Sequence, residues 1–208
     1  MNKINYHKLM TAEIENIKSK GHRPKLVLHS CCAPCSTHVL NVLSETFNLE
    51  ILYFNPNIYP EEEYNKRLQE QIRLIPKMGL DIKVAETGYE SHLFYEKIKG
   101  LENLGEGSER CKQCIALRLE KTALYAAENK FGYFTSTLSI SPLKNADMIN
   151  EIGQTLQDKY NVKFLAADFK KNNGFKNSID LSKKYNLYRQ DYCGCVFSKK
   201  ERESKTSF

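Results

Sequence analysis

Apolar residues in this chain follow two rhythms that alternate along most of its length. In one, short runs of strand length carry few polar interruptions: Leu26, Val27 and Leu28; the stretch 50–54 with Ile51, Leu52, Tyr53 and Phe54; then 81–85, 133–137 and 163–166. Such runs predict strands covered on both faces. In the other, apolar positions recur every three or four residues. Leu9, Met10, Ile14 and Ile17 predict a helix over 5–19 that Gly21 ends, and Val39, Leu40, Val42 and Leu43 carry one from Pro34 to about Phe47. Another starts at Pro60 and runs through Leu68, Ile72 and Ile75, with Glu61, Glu62 and Glu63 in a first turn whose dipole suits carboxylates. Further helices are predicted over 91–98, 110–130, 146–160 and 177–185. Strands alternating with helices define the α/β class. The expectation is a single domain over 1–198, a mostly parallel sheet with helices on both faces, and a polar tail, 199–208, that frays for want of apolar surface.

The breaks in the pattern carry the chemistry. Residues 25–38, KLVLHSCCAPCSTH, read as a strand, a tight loop holding Cys31, Cys32 and Cys35, and a helix start at Pro34. That loop falls at the carboxyl edge of the sheet, where α/β proteins place ligands. Residues 55–60, NPNIYP, forbid helix and ladder alike and form a shaped loop, whereas 100–108, with three glycines, has little to pack and is expected to be mobile. Cys111 and Cys114 open the long helix at the end where the dipole favours thiolates, and Cys193 and Cys195 flank a glycine that lets the backbone turn. All seven cysteines thus fall in three clusters placed to meet at one sheet edge.

Four thiolates satisfy a tetrahedral zinc or a cubane cluster, and seven exceed any mononuclear site. Two Cys-x-x-Cys pairs taken alone favour structural zinc. Against it, one pair follows a buried strand and the other opens a long helix, and zinc would leave Cys31 and the Cys193/Cys195 pair idle. A thioredoxin-like dithiol gives the later pairs no role. The radical-SAM spacing is absent, and SCCAPCS stands where a nucleotide-binding α/β protein places glycines.

Composition adds two points. No apolar run reaches membrane-spanning length and MNKINYHKLM lacks a signal peptide's core, so a cytoplasmic location is expected, where clustered thiols hold metal rather than form disulfides. The net charge of +6 is carried by the last quarter, where eleven Lys and Arg residues face five Asp and Glu from Tyr160 onward. A basic end suits a polyanion such as nucleic acid, and equally a solvated lysine-rich face.

HSCCAPCS, YFNPNIYPEEEYNKR, RCKQCIALRLEKTA, FTSTLSISPLKN, DFKK with the following Gly174, and YRQDYCGCVFS together resemble the QueH family of epoxyqueuosine reductases, over about residues 25–198 and in the family's order. At Cys35 the chain departs from members that carry an acidic residue there. The resemblance implies a Rossmann-like sheet of the adenine nucleotide alpha hydrolase kind, and deoxygenation of epoxyqueuosine to queuosine at the wobble position of tRNAs with GUN anticodons (Asp, Asn, His, Tyr). It also implies a 4Fe-4S cluster beside a second iron or other divalent metal, fed by an electron donor that the sequence does not identify. The ligand sets that follow from it are Cys31, Cys111, Cys114 and Cys193 for the cluster, with Cys32, Cys35 and Cys195 for the second metal; Cys193 and Cys195 are interchangeable in this scheme. Asp191, Tyr192 and His29 are proton-donor candidates by nearness to the thiols. Lys170, Lys171, Lys176, Arg189 and Lys199 are candidate phosphate contacts, and Tyr53, Tyr59, Tyr188 and Tyr192 candidate base platforms. Two other readings stay open: a tRNA sulfur-transfer enzyme, which needs an ATP-binding glycine loop, and a non-catalytic zinc protein that binds RNA.

Overall fold

β1, Lys25–His29, is the middle of the molecule, and every residue from Leu26 to His29 is shut off from solvent. The computed structural model describes residues 4–206. On one side β1 pairs in parallel with β2 (Asn48–Tyr53), which pairs with β3 (Lys83–Glu86); on the other it pairs with β4 (Tyr133–Ser136), which pairs with the two-residue β5 (Lys163–Phe164). All five are parallel in the order β3-β2-β1-β4-β5, with Leu28 opposite Ile51 and Thr135.

Alternate residues of β1 feed two cores, because successive side chains of a strand point to opposite faces. Leu26 and Leu28 pack with Met10 and Ile17 of α1 (Tyr6–Ser19), Val39, Leu40 and Leu43 of α2 (Ala33–Leu43) and Leu74 and Ile75 of α3 (Glu61–Lys77). Val27, Leu52 and Phe134 pack with Ile115, Leu119, Ala123 and Ala126 of α5 (Glu109–Glu128) and Ile149 and Leu156 of α6 (Ala146–Tyr160). Each fully buried side chain of this size contributes about 1.5–3 kcal/mol, so the two-faced covering sustains the sheet without help from the sulfurs. The remaining helices are α4 (Ser91–Lys97), α7 (Gly174–Lys184) and α8 (Val196–Thr206). None of the described helices is long and apolar enough to cross a membrane.

The structure departs from the sequence expectation in four places. α2 stops at Leu43, where Arg23 Nη2 donates to the carbonyls of Ser44 at 2.6 Å and Phe47 at 3.1 Å and turns the chain. α7 starts three residues early because Gly174 abuts the Phe169 carbonyl: a β-carbon there would lie 1.8 Å from that oxygen. The segment 100–108 is tied down: Arg110 Nη1 donates to Glu102 O at 2.9 Å, Glu106 N to Glu201 Oε2 at 3.3 Å, and Gly107 N to Cys111 Sγ at 3.3 Å. The expected tail is instead α8, held by Ser198, which is buried, and by Glu201, 3.0 Å from the buried Arg110. Residues 207 and 208 of that tail, with the N-terminal residues 1–3, lie outside the described residues.

Candidate metal centre

The chain leaves β1 toward β2 and β3, then returns to build β4 and β5 on the other side, so the sheet has its switch point between β1 and β4. Loops diverge there and leave a crevice at the carboxyl edge. Cys31 and Cys32 follow β1 directly, and Cys35 lies in the first turn of α2, so one short loop delivers three sulfurs within 4.8 Å of one another. Cys31 Sγ is 3.9 Å from Cys32 Sγ and 3.5 Å from the hydroxyl of Thr137, which follows β4. Hydrogen bonding from Cys32 and Cys35 holds the Cys31 thiol well below the ordinary value. That same interaction pushes Cys32 and Cys35 up.

A second group forms behind the first. Cys111 and Cys114 project from the first turns of α5, and the loop 193–195 brings its pair alongside; Cys114 and Cys195 are buried together with Phe94 and Ile98 of the α4 region. Burial pushes the Cys114 thiol up to about 11, against the pull of the Arg118 charge, and burial raises Cys195 as well. Backbone N–H groups reach these sulfurs: Gly107 donates to Cys111 Sγ and Ser198 to Cys195 Sγ, each at 3.3 Å. The loop is fixed from the NPNIYP side, where Tyr59 N donates to Gly194 O at 2.9 Å and Arg67 Nη1 to Cys193 O at 3.3 Å.

The Cys31, Cys32 and Cys35 group lines a cleft of about 620 Å³. Cys111, Cys114 and Cys195 line an adjoining cavity of about 20 Å³, and Cys193, Arg118 and Lys144 line both. The three clusters therefore meet at one sheet edge. Cys31 sits with Cys32 and Cys35, its own loop neighbours, and Cys195 sits with Cys114.

Soft sulfur donors in sets of three and four suit iron-sulfur or zinc chemistry. Arg118 tests the fit independently. It is buried, with Nε donating to Cys114 O at 3.2 Å, and its guanidinium is held charged, against burial, by Cys114, Cys193, Cys31 and Cys111 in that order. A buried cation needs negative charge nearby, and thiolate-bound metal provides it. Lys144 Nζ donates to Cys193 Sγ at 3.1 Å, and the nearness of that sulfur raises the Lys144 pKa against the opposing effect of burial. Lys144, Thr137 and Phe175 were not singled out from the sequence; Arg67 and Arg118 stand within the quoted motifs, where the residue type favours a salt-bridged scaffold role, and the structure gives Arg67 such a partner in Glu63 at 2.7 Å.

The other expected residues divide. Asp191 and Tyr192 line the cleft, Asp191 exposed and 3.2 Å from Arg202, Tyr192 with its hydroxyl donating to Tyr59 O at 3.2 Å. His29 is not placed to give a proton. It is fully buried away from the cleft, both ring nitrogens are engaged by Ser136 Oγ at 2.8 Å and Phe54 O at 3.1 Å, and burial lowers its pKa to about 4, so it is neutral. Arg189 lines the cleft with its guanidinium 5.6 Å over the Phe175 ring. Lys171 and Lys176 are exposed, whereas Lys170 is committed to Asp168 at 2.9 Å and is no free phosphate contact. Tyr53 is buried, and Tyr188, with Lys66 Nζ 3.5 Å above its ring, does not line the cleft. Tyr59 is exposed but does not line the cleft, and half-buried Lys199 spends its backbone N–H on Cys195 O at 3.0 Å.

These features define an α/β protein with a thiol-lined metal or iron-sulfur site at the switch point of its sheet. Comparison with known proteins narrows the class. The chain belongs to the epoxyqueuosine reductase QueH family, whose profile matches residues 26–201. It is 45% identical over 202 residues to the epoxyqueuosine reductase QueH of Staphylococcus epidermidis, covering 94% of this chain and 85% of that one. With the Thermotoga maritima protein of the same name it shares 39% identity over 181 residues, 86% of this chain and 93% of that one. Among solved structures, the U34-tRNA thiolase NcsA of Methanococcus maripaludis with its [4Fe-4S] cluster matches at 12% identity and a TM-score of 0.49, over 96% of this chain and 72% of that one. NMN synthetase from Francisella tularensis matches at 10% identity and 0.47, over 92% and 77%. Neither likeness is close enough to bear on chemistry.

Proposed function

We propose that this protein is an epoxyqueuosine reductase that converts epoxyqueuosine to queuosine at the wobble position of tRNAs with GUN anticodons. Family membership supports the reaction. The observation that carries it is the three-thiol group of Cys31, Cys32 and Cys35 in a cleft that adjoins a cavity lined by Cys111, Cys114, Cys193 and Cys195. Converting an epoxide to an alkene takes up two electrons and two protons and releases water. A 4Fe-4S cluster on Cys111, Cys114, Cys193 and Cys195 would supply electrons one at a time, and iron or another divalent metal on Cys31, Cys32 and Cys35 a Lewis acid for ring opening.

The protein's own residues do the rest. The cleft lies within the size range of small-molecule pockets, so it receives one extruded nucleoside rather than a helix. Phe175, with Arg189 on its ring, offers a base a stacking surface, and Lys171 and Lys176 nearby in sequence meet phosphates. Tyr192 brings its hydroxyl proton to the cleft wall, where the departing oxygen must be protonated. Electrons enter from a separate one-electron donor protein. The reading is tested by anaerobic purification with iron and sulfide analysis, followed by nucleoside mass spectrometry of a deletion strain. Protein-bound sulfide and accumulated epoxyqueuosine are expected. Zinc alone, or a strain without epoxyqueuosine, rejects it.

A further inference from the structure

Three arginines of the described chain are buried to 2% exposure: Arg67, Arg110 and Arg118. Two have the partner that a buried guanidinium ordinarily requires. Arg67 Nε is 2.7 Å from Glu63, and Arg110 Nη2 is 3.0 Å from Glu201. Among the described residues no carboxylate lies within ion-pair distance of Arg118. Its hydrogen bond to Cys114 O uses Nε, and the residue lines both sulfur-lined cavities. An isolated buried charge costs several kcal/mol, so a position that keeps one amid sulfurs needs a reason beyond packing.

We infer that Arg118 is the counter-ion shared by the two sulfur groups, and that its fixed charge sets how readily the centre on Cys111, Cys114, Cys193 and Cys195 accepts an electron. This rests on the function proposed above. Each electron that enters the centre from the external donor adds one negative charge, in surroundings where charge is weakly screened. A guanidinium beside it favours the reduced form, so removing the positive charge makes reduction harder. Its position on α5 one turn beyond Cys114 ties the charge to the same helix as two of the sulfurs.

The test compares the full-length wild type with Arg118→Gln and Arg118→Lys, each purified without air, for iron and sulfide content and for the midpoint potential of the cluster in a redox titration followed by electron paramagnetic resonance. The expected result is that Arg118→Gln holds iron and sulfide but has a more negative midpoint, while Arg118→Lys stays near the wild type. An unchanged midpoint in Arg118→Gln, or an equal displacement in both variants, overturns the inference. Should Arg118→Gln fail to load, Arg118→Lys decides: loading with a wild-type midpoint supports the role of charge, and failure to load refutes it. A wild type without sulfide would instead refute the function itself, before any variant is compared.

Discussion

Gly194 shows how little freedom the second sulfur group has. Its φ of +126° lies where side chains are strained, and an added β-carbon would meet Arg67 Nη1 at 3.0 Å and Ile58 Cγ1 at 3.1 Å. Gly194→Ala is therefore expected to cost about 1–3 kcal/mol and to displace Cys193 and Cys195. Lower iron content than the wild type, with a reduced denaturation midpoint, is the outcome to look for; wild-type iron would show that the loop yields. At this scale the sequence was legible where spacing speaks: cysteines in pairs declare a shared ligand, and glycine between two of them declares a turn. It placed Arg67 and Arg118 in motifs but could not show their burial, because a buried arginine on a helix has the same neighbours in sequence as an exposed one. His29 misled for the converse reason, since adjacency to thiols along the chain says nothing about which way a strand-end ring points.

Among the elements, α8 was the hardest to foresee. Val196 and Phe197 are its only apolar residues; beyond Phe197, which packs with Phe94 and Ile98, what anchors it is polar: Ser198 against Cys195, and Glu201 against Arg110, whose guanidinium also lies 4.5 Å from the Phe197 ring. Periodicity finds helices by their apolar stripe and overlooks one docked through an ion pair. Glu201→Ala leaves the Arg110 charge buried without its carboxylate. Because the Glu201 side chain is 34% exposed, the expected loss is about 1–2 kcal/mol, less than for a fully buried pair. Thermal denaturation of the variant measures it, and a transition within experimental error of the wild type would mean that α8 does not depend on the pair. By contrast α6 was read to its ends, since Asn145 caps it through Asp147 N at 2.9 Å and Asn161 closes it in the left-handed conformation.

For the molecule as a whole, alternation of strand and helix dictated a parallel sheet, but apolar runs do not record which strand lies beside which. The order β3-β2-β1-β4-β5, and hence the switch point that gathers the sulfurs, emerges only from the packed structure. Both cores lie along the sheet and its covering helices rather than around the metal site. Anaerobic removal of metal by a chelator is expected to leave the far-ultraviolet circular dichroism and a cooperative melt in place. Loss of secondary structure would identify a fold that metal holds together, as in small zinc domains.

The seven sulfurs come from three segments between residues 31 and 195, and Cys195 follows all five strands in the chain. A growing polypeptide thus lacks a complete set of donors until the whole sheet has been synthesised. The group of Cys31, Cys32 and Cys35 is thus translated long before Cys193 and Cys195, its neighbours in the folded protein, exist.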